Sequence, residues 1–233
     1  MTDLDLRAFR ALTFDCYGTL IDWESGLAAA LDRILQRHGH EVERDSILEL
    51  HSRLEPAAQE GPYRPYREVL GRVVDGFGDR YGFSPDPCER GELAESVADW
   101  PTFPDTVEAL QRLASRYSLG ILSNIDDDLF AGSARLLRVD FQWVITAQQV
   151  GSYKPARGHF DRALEILGIP QRGILHVAQS LFHDIAVARE LGFSTVWVNR
   201  RHGAQGGGAT PPSGAKPHLE VPDLATLADL AGC

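Results

Sequence analysis

The spacing of hydrophobic residues changes near residue 22, and this change divides the first hundred residues in two. Residues 11–14 form a short apolar run typical of a buried strand in a parallel sheet, and the run ends at Asp15, shortly before Gly18. Farther along, apolar residues recur every three or four positions, the spacing of a helix that buries one face. This spacing predicts helices over residues 23–38, 45–59, 66–81 and 87–100. Four consecutive helices without a strand between them predict a helical bundle.

Beyond residue 100, strand patterns alternate with helical patterns. The predicted helices are residues 105–117, 127–137, 157–167 and 184–191, and the predicted strands are residues 118–123, 141–146, 174–178 and 194–199. Such alternation is typical of an α/β fold with a Rossmann-like parallel sheet core. We therefore expect residues 1–21 and 101–233 to form the core domain, and residues 22–100 to form a helical cap domain inserted after the first strand. A segment rich in Gly and Pro, residues 203–216, predicts a surface loop.

Composition narrows the classes of partner. The chain has 233 residues, 43% of them hydrophobic, which is enough for a substantial core. The 33 acidic residues outnumber the 23 basic ones and give a formal charge of -10. This balance argues against nucleic acid or an anionic membrane surface as a partner, because both bind clustered positive charge. A small anionic substrate remains compatible with it, since such a molecule responds to the local field of a pocket.

The cysteines and the N-terminus bear on the compartment. Cys16, Cys88 and Cys233 are odd in number and widely separated, which fits neither a disulfide framework nor a zinc site. The first residues lack the basic and apolar segments of a signal peptide, and no apolar run approaches the length of a membrane span. We therefore expect a cytoplasmic protein.

Polar residues follow the predicted strands of the core at their carboxyl ends. Asp15 comes directly after the first strand, and Ser123 and Asn124 lie at the end of the second. Ligands of open α/β sheets bind at this edge, so Asp15 is a candidate nucleophile. Ser and Asn side chains can bind an anionic oxygen without adding negative charge. Ordinary turns after strands would show the same residue types.

Two later segments carry further candidates. Lys154 precedes Pro155, which disfavours a helical conformation, so its ammonium can reach inward from an extended loop. A lysine in solvent is the alternative. His183 and Asp184 follow the strand at 174–178 and are candidate bases. Asp184 could instead cap the next helix or pair with Lys154, and His183 could face solvent.

Four motifs in order resemble those of the haloacid dehalogenase superfamily. They are Asp15-Cys-Tyr-Gly-Thr-Leu20, Ser123-Asn124, Tyr153-Lys154-Pro155 and the segment 177–184. The resemblance covers nearly the whole chain and implies the fold of that superfamily, a Rossmann-like core with an inserted cap. It also implies that Asp15 attacks the substrate covalently and that Lys154 keeps Asp15 ionised and oriented. An ammonium so close should lower the pKa of Asp15.

Two departures from the superfamily's phosphatases indicate its dehalogenase branch. Tyr17 stands where those phosphatases carry a second Asp as acid and base, and Gln179 stands where they carry an acid that binds Mg²⁺. A halide leaving group needs neither, so the resemblance implies hydrolysis of short 2-haloalkanoic acids without a cofactor. Two alternatives stay open: a phosphohydrolase with a rebuilt Mg²⁺ site around Asp15 and Asp184, and a non-catalytic binding protein that keeps the fold.

The resemblance also distributes roles around the small anionic substrate. Asp184 is the first candidate for activating water and His183 the second, and Thr19 is expected to fix the loop after Asp15. The remaining candidates for substrate contact are Cys16, Tyr17, Ser123, Asn124, Gln179, Ser180 and Asn199, with the apolar walls Trp23, Tyr63 and Tyr66. Dehalogenases use a cap arginine to stabilise the departing halide, and Arg53, Arg64 and Arg67 are the candidates. A homodimer is a further expectation from the family.

Overall fold

The computed structural model describes residues 4–201 and 213–233 and contains a six-stranded parallel sheet. The strand order is β3-β2-β1-β4-β5-β6, so the first strand lies in the middle of the sheet. The strands are β1 (Ala11–Phe14), β2 (Ser118–Ser123), β3 (Trp143–Thr146), β4 (Ile174–Ala178), β5 (Ser194–Val198) and β6 (Leu219–Val221). This architecture confirms the predicted α/β fold with a Rossmann-like parallel core.

The register of the three central strands brings their carboxyl ends together. Phe14, the last residue of β1, pairs with Ile121 of β2 and with Val177 of β4. All four residues of β1 are buried, as expected for a strand with helices on both faces. The residues after these strands therefore meet at one edge of the sheet.

Four helices lie between β1 and β2 and pack on one another. They are α1 (Trp23–Arg37), α2 (Arg44–Gln59), α3 (Tyr66–Tyr81) and α4 (Pro87–Ser96). Helix α3 contacts α2 and α4, and α1 contacts the same two helices. Asp22 caps α1 by accepting the backbone N–H of Ser25, and Asp86 forms a capping box with Glu89 at the start of α4. The predicted fourth helix ends earlier than expected, in a 3₁₀ turn at Val97–Asp99.

The other helices cover the sheet. They are α5 (Thr106–Ala114), α6 (Asp127–Leu137), α7 (Ala147–Val150), α8 (Gly158–Ile166), α9 (Ala186–Glu190) and α10 (Leu224–Ala231). Helix α7 and strand β6 are absent from the sequence prediction, because four and three residues are too few to show a periodicity. The predicted loop at 203–216 falls largely outside the described residues. Within the described ranges, no helix combines the length and the apolar character that a membrane crossing requires.

A buried carboxylate connects the four inserted helices to the sheet. Asp126, just after β2, accepts the backbone N–H groups of Tyr66 and Arg67 at 2.9 Å each, and the Tyr63 hydroxyl donates to it at 3.2 Å. An acid at this place satisfies free N–H groups at the start of α3 and interacts favourably with the helix dipole. The Tyr153 hydroxyl, beside Lys154, donates to the Arg64 carbonyl oxygen at 2.8 Å. These contacts hold the start of α3 above the carboxyl ends of the strands.

Candidate active site

A small cavity of about 60 Å³ lies between the sheet edge and the inserted helices. We call its two sides the strand-end wall and the helical wall. The strand-end wall consists of Asp15, Tyr17, Ser123, Asn124, Lys154, Gln179, Ser180, His183 and Asp184. The helical wall consists of Trp23, Glu55, Gln59 and Tyr66. Residues from all four predicted motifs therefore meet at one place.

Lys154 joins the two carboxylates of the strand-end wall. Its ammonium donates to Asp15 Oδ1 at 2.9 Å, to Asp184 Oδ1 at 2.6 Å and to the Leu122 carbonyl oxygen at 2.7 Å. The Lys154 side chain is only 1% exposed. Because an ammonium has three N–H donors, all of them are engaged within the protein. Lys154 thus fixes the two carboxylates and has no proton left for a substrate.

Asn124 positions the backbone of Lys154. Its side-chain oxygen accepts the Lys154 backbone N–H at 2.7 Å, and its side-chain nitrogen donates to the Lys154 carbonyl oxygen at 3.1 Å. The amide therefore binds both backbone groups of one residue across two loops. This makes Asn124 first of all a support for Lys154, a role that differs from the predicted contact with substrate.

The loop after Asp15 is held by Thr19. The Thr19 hydroxyl donates to Asp15 Oδ2 at 2.8 Å and accepts the backbone N–H of Gln179 at 2.9 Å. The backbone N–H groups of Leu20 and Ile21 return to the Cys16 carbonyl oxygen. Gly18 adopts a φ of +96°, and a side chain there would collide with the Trp23 indole. This geometry accounts for Gly18 in the motif and agrees with the predicted role of Thr19.

Burial and charge set the pKa values of the buried acids. Burial raises the pKa of Asp15 above its ordinary 3.8 and the charge of Asp184 adds to this effect, whereas Lys154 opposes it. The expected net lowering of the Asp15 pKa is thus wrong, because desolvation outweighs the ion pair. Burial also acts to raise the pKa of Asp184, but the charge of Lys154 and a hydrogen bond from His176 hold it below 3.8. Although burial favours the neutral amine, the two carboxylates keep the pKa of Lys154 above 10.5.

The sequence analysis missed His176, a fully buried histidine in β4. Its Nε2 lies 3.0 Å from Asp184 Oδ1, and its Nδ1 lies 3.0 Å from the Thr13 hydroxyl. With Asp184 ionised, the Nε2–H donates to it and the Thr13 hydroxyl donates to Nδ1. A histidine inside an otherwise apolar strand requires buried partners, and that signal was available in the sequence.

Several polar groups of the strand-end wall are buried. Ser123 Oγ and Asp184 Oδ2 are buried and hydrogen-bond with no residue of the described ranges. His183 contacts Ser180, whose hydroxyl accepts the His183 backbone N–H at 2.9 Å and lies 3.1 Å from Nδ1. Burial lowers the pKa of His183, so its imidazole is neutral at pH 7. The residues that line the cavity therefore include a hydroxyl and a carboxylate oxygen without a partner and a neutral imidazole.

The helical wall contains an acid that the sequence analysis did not single out. Glu55 of α2 lines the cavity, and the Tyr66 hydroxyl donates to its Oε1 at 2.6 Å. Gln59, one turn later on α2, was missed as well. Trp23 and Tyr66 line the cavity as expected, whereas Tyr63 is absent from its lining. Tyr17 reaches the cavity while its hydroxyl contacts Ser133 Oγ at 2.9 Å.

The predicted halide arginines do not reach the cavity. Arg53 is 66% exposed and lies 3.9 Å from Glu49, one turn earlier on the outer face of α2. Arg67 is 45% exposed and donates to Asp128 at 2.8 Å. Arg64 donates to the carbonyl oxygens at the end of α2. Among the described residues no arginine lines this cavity, so the structure does not bring Arg53 and Arg67 together with the other predicted site residues.

Two further predicted ligands point elsewhere. The Asn199 side chain donates to Glu220 of β6 at 2.9 Å and is absent from the cavity lining. The reason is strand β6, which the sequence did not predict. It pairs with β5, and Asn199, directly after β5, therefore lies beside Glu220. The Cys16 side chain packs in the hydrophobic core beneath the loop. Burial raises the pKa of its thiol well above 9.0, so Cys16 is a packing residue.

The acids of the cavity do not fit a divalent cation. Asp15 and Asp184 both bind the Lys154 ammonium, which lies between them. Gln179 supplies a neutral amide where the family resemblance implied a third acid. Across residues 4–201 and 213–233, no three His, Cys, Asp or Glu side chains are grouped closely enough to hold a metal ion. A magnesium ion prefers charged oxygen ligands in octahedral geometry, and these residues do not provide them.

Comparisons with known proteins agree with the fold and with the family that the motifs resemble. A family model described as haloacid dehalogenase-like hydrolase matches residues 9–192. An (S)-2-haloacid dehalogenase of Pseudomonas fluorescens is 27% identical over 214 residues, covering 85% of this chain and 88% of that protein. An (S)-2-haloacid dehalogenase of Pseudomonas sp. strain YL is 27% identical over 234 residues, covering 95% and 94%. The solved structure of the L-2-haloacid dehalogenase from Xanthobacter autotrophicus with chloropropionic acid covalently bound superposes with a TM-score of 0.81 at 23% identity, covering 96% of this chain and 98% of that one.

Proposed function

Because the chain belongs to the haloacid dehalogenase-like hydrolases, we propose that it hydrolyses the carbon–halogen bond of short 2-haloalkanoic acids through an aspartyl ester on Asp15. One observation carries this proposal: the Lys154 ammonium joins Asp15 and Asp184 at the edge of a small cavity. An ionised carboxylate held in a fixed direction is a nucleophile, and a second one beside it is a base.

In the first step a carboxylate oxygen of Asp15 attacks C2 of the substrate and the halide leaves with the bonding electrons. Lys154 and Thr19 each bind one oxygen of Asp15 and so orient the carboxylate for attack. The buried Ser123 hydroxyl is available to donate to the substrate carboxylate. The product of this step is an ester between Asp15 and C2.

In the second step water attacks the carbonyl carbon of that ester. We place this water against Asp184 Oδ2, a buried acceptor that faces no donor among the described residues. The attacking water transfers a proton to Asp184, and the bond between Cγ of Asp15 and the ester oxygen breaks. The 2-hydroxy acid leaves with that oxygen as its hydroxyl group and takes up the proton, so that Asp15 regains a carboxylate with one oxygen from water. The neutral imidazole of His183 is the alternative base, and an Asp184→Asn variant that kept its ester hydrolysis would favour it.

We further propose that residues 22–100 act as the cap of this site. Trp23 and Gln59 carry the N–H donors of the helical wall, so we assign the departing halide to them rather than to an arginine. The inserted helices exclude bulk water from the ester, so that the water bound beside Asp184 is the one that attacks it. No cofactor enters this scheme, since the charge beside Asp15 comes from Lys154.

The test is a paired assay on the intact protein. We expect halide release from racemic 2-chloropropionate with Mg²⁺ or with EDTA alike, and a loss of about a thousandfold or more in Asp15→Asn. Asp45→Asn, an exposed acid on α2, is the matched control and should keep its activity. In ¹⁸O-water a single turnover should label the Asp15 carboxylate, because water attacks the acyl carbon. Mg²⁺-dependent release of phosphate from an aryl phosphate, without halide release, would instead support the phosphohydrolase.

A further inference from the structure

The charges around the cavity do not balance for a simple anionic substrate. Three carboxylates line the cavity, those of Asp15, Asp184 and Glu55. Among the described residues of the lining, Lys154 is the one that carries an ammonium group. All three Lys154 protons are already engaged. His183 adds no charge, because burial lowers the pKa of its imidazole. A monoanionic acid would therefore enter a lining with two negative charges in excess.

Of the three acidic residues, Glu55 is the one that does not bind Lys154. It comes from α2, on the opposite wall from the two acids that share Lys154. The Tyr66 hydroxyl donates to Glu55 Oε1 at 2.6 Å, which orients the carboxylate. Among the described residues, no arginine or lysine forms a salt bridge with Glu55. The arginines on either side of it in the sequence, Arg53 and Arg64, pair with Glu49 and Glu68 instead. Its second oxygen is an acceptor for a group that enters the cavity.

A substrate of this cavity has Glu55 beside it as well as Asp15, because both residues line the same small space. A molecule with C2 against Asp15 therefore has its C2 substituent at the helical wall. Independently of Glu55, the unpartnered Ser123 Oγ and Asp184 Oδ2 mark this same cavity as the place where a polar ligand binds.

We propose that Glu55 selects 2-halo acids whose C2 substituent carries an ammonium group, so that the preferred substrate is a small zwitterion such as a 3-amino-2-haloalkanoate. The ammonium pairs with Glu55, and the substrate carboxylate stays on the strand-end wall near Ser123. This inference rests on the proposed dehalogenation at Asp15. It names Glu55 as a specificity-determining residue, with the substrate class that its charge requires.

Two substrates of nearly equal shape test the inference. In 2-chlorobutanoate the C2 substituent ends in a methyl group, and in 3-amino-2-chloropropanoate an ammonium replaces that methyl. We expect the kcat/KM for halide release to be about tenfold or more higher for the amino compound in the wild-type protein. Glu55→Gln, which keeps the shape and the contact with Tyr66, should abolish the preference, and Glu55→Lys should reverse it. Glu49→Gln, an exposed acid on the same helix, should leave the preference unchanged.

A binding measurement separates failure of the inference from failure of the proposed function. The products, 2-hydroxybutanoate and 3-amino-2-hydroxypropanoate, are titrated calorimetrically, with no carbon–halogen chemistry involved. Tighter binding of the amino product by about tenfold, lost in Glu55→Gln, supports selection by Glu55 even if no halide is released. Equal binding of the two products, or a preference that survives in Glu55→Gln, overturns the inference even if both chlorinated acids are turned over.

Discussion

The two walls of the cavity differ in how their charged groups are held within the protein. On the strand-end wall, Asp15 and Asp184 are buried and each accepts a hydrogen bond from Lys154, and Asp184 is held further by His176. On the helical wall, Glu55 is half-buried and accepts a hydrogen bond from the Tyr66 hydroxyl. The first set follows strands of a central sheet, and the second lies on inserted helices.

This difference suggests a division of labour. Groups that perform a covalent step must be held within a fraction of an ångström, and a network of buried hydrogen bonds at strand ends provides that rigidity. Groups that recognise a substituent need only present the right charge, and helices outside the sheet can change without disturbing the network. We therefore expect substitutions in the strand-end wall to affect both stability and catalysis, whereas those in the helical wall alter the choice of substrate.

Lys154→Met tests the strand-end wall with the largest expected effect. Removing the ammonium leaves Asp15 and Asp184 buried near each other without a counter-charge, so halide release should fall below detection. The free energy of unfolding should fall by about 3–5 kcal/mol. Because both carboxyl pKa values then rise, the native state takes up protons, and the deficit in stability should shrink as the pH is lowered from about 8 to about 5. Urea unfolding at several pH values measures this.

A double variant provides the control for that prediction. Asp15→Asn in the Lys154→Met background removes one of the two unpaired charges and should recover part of the lost stability. If the single variant proved as stable as the wild-type protein at every pH, the buried ionic network would not be what holds this wall together, and the contrast between the walls would fail.

His176→Leu has a smaller expected effect and isolates one member of the network. The change removes a donor to Asp184 and leaves the Thr13 hydroxyl without a partner, at a cost of about 1–3 kcal/mol. The pKa of Asp184 lies below 3.8, so its ionised form stabilises the native state above that pH, and this contribution is lost as the pH falls through the folded pKa. Without His176 that pKa rises, and acid unfolding should begin at a higher pH.

Thr13→Val is the matched variant for His176. It removes the second contact of the imidazole but keeps the hydrogen bond to Asp184, so its acid unfolding should begin at the wild-type pH. Circular dichroism during an acid titration of both variants distinguishes them. An unchanged acid transition in His176→Leu would show that His176 is only a packing residue of β4.

The same contrast explains what could be predicted from the sequence. Parallel strands end at a common edge, so Asp15, Ser123, Lys154 and Asp184 could be assigned to one site from the strand pattern and the motifs. The helical wall could not be predicted in this way. The periodicity of α2 identifies its apolar face, but it does not show that Glu55, a polar residue, borders the cavity. That placement depends on how the helices sit above the sheet, and the contacts of Asp126 with the start of α3 had no sequence signal.

The smallest expected effect concerns the arginines of the inserted helices. Arg53→Gln and Arg67→Gln should each leave the kcat/KM for halide release within about twofold of the wild-type value, because both side chains are exposed and their ion pairs contribute little. Steady-state kinetics at two salt concentrations checks this. Glu55→Gln is the comparison, because we expect it to change the kcat/KM for 3-amino-2-chloropropanoate. A loss of a hundredfold in either arginine variant would mean that α2 or α3 reorients during turnover and brings an outer face to the halide. In that case the helical wall would take part in the chemistry, and the division between the two walls would hold only before the substrate binds.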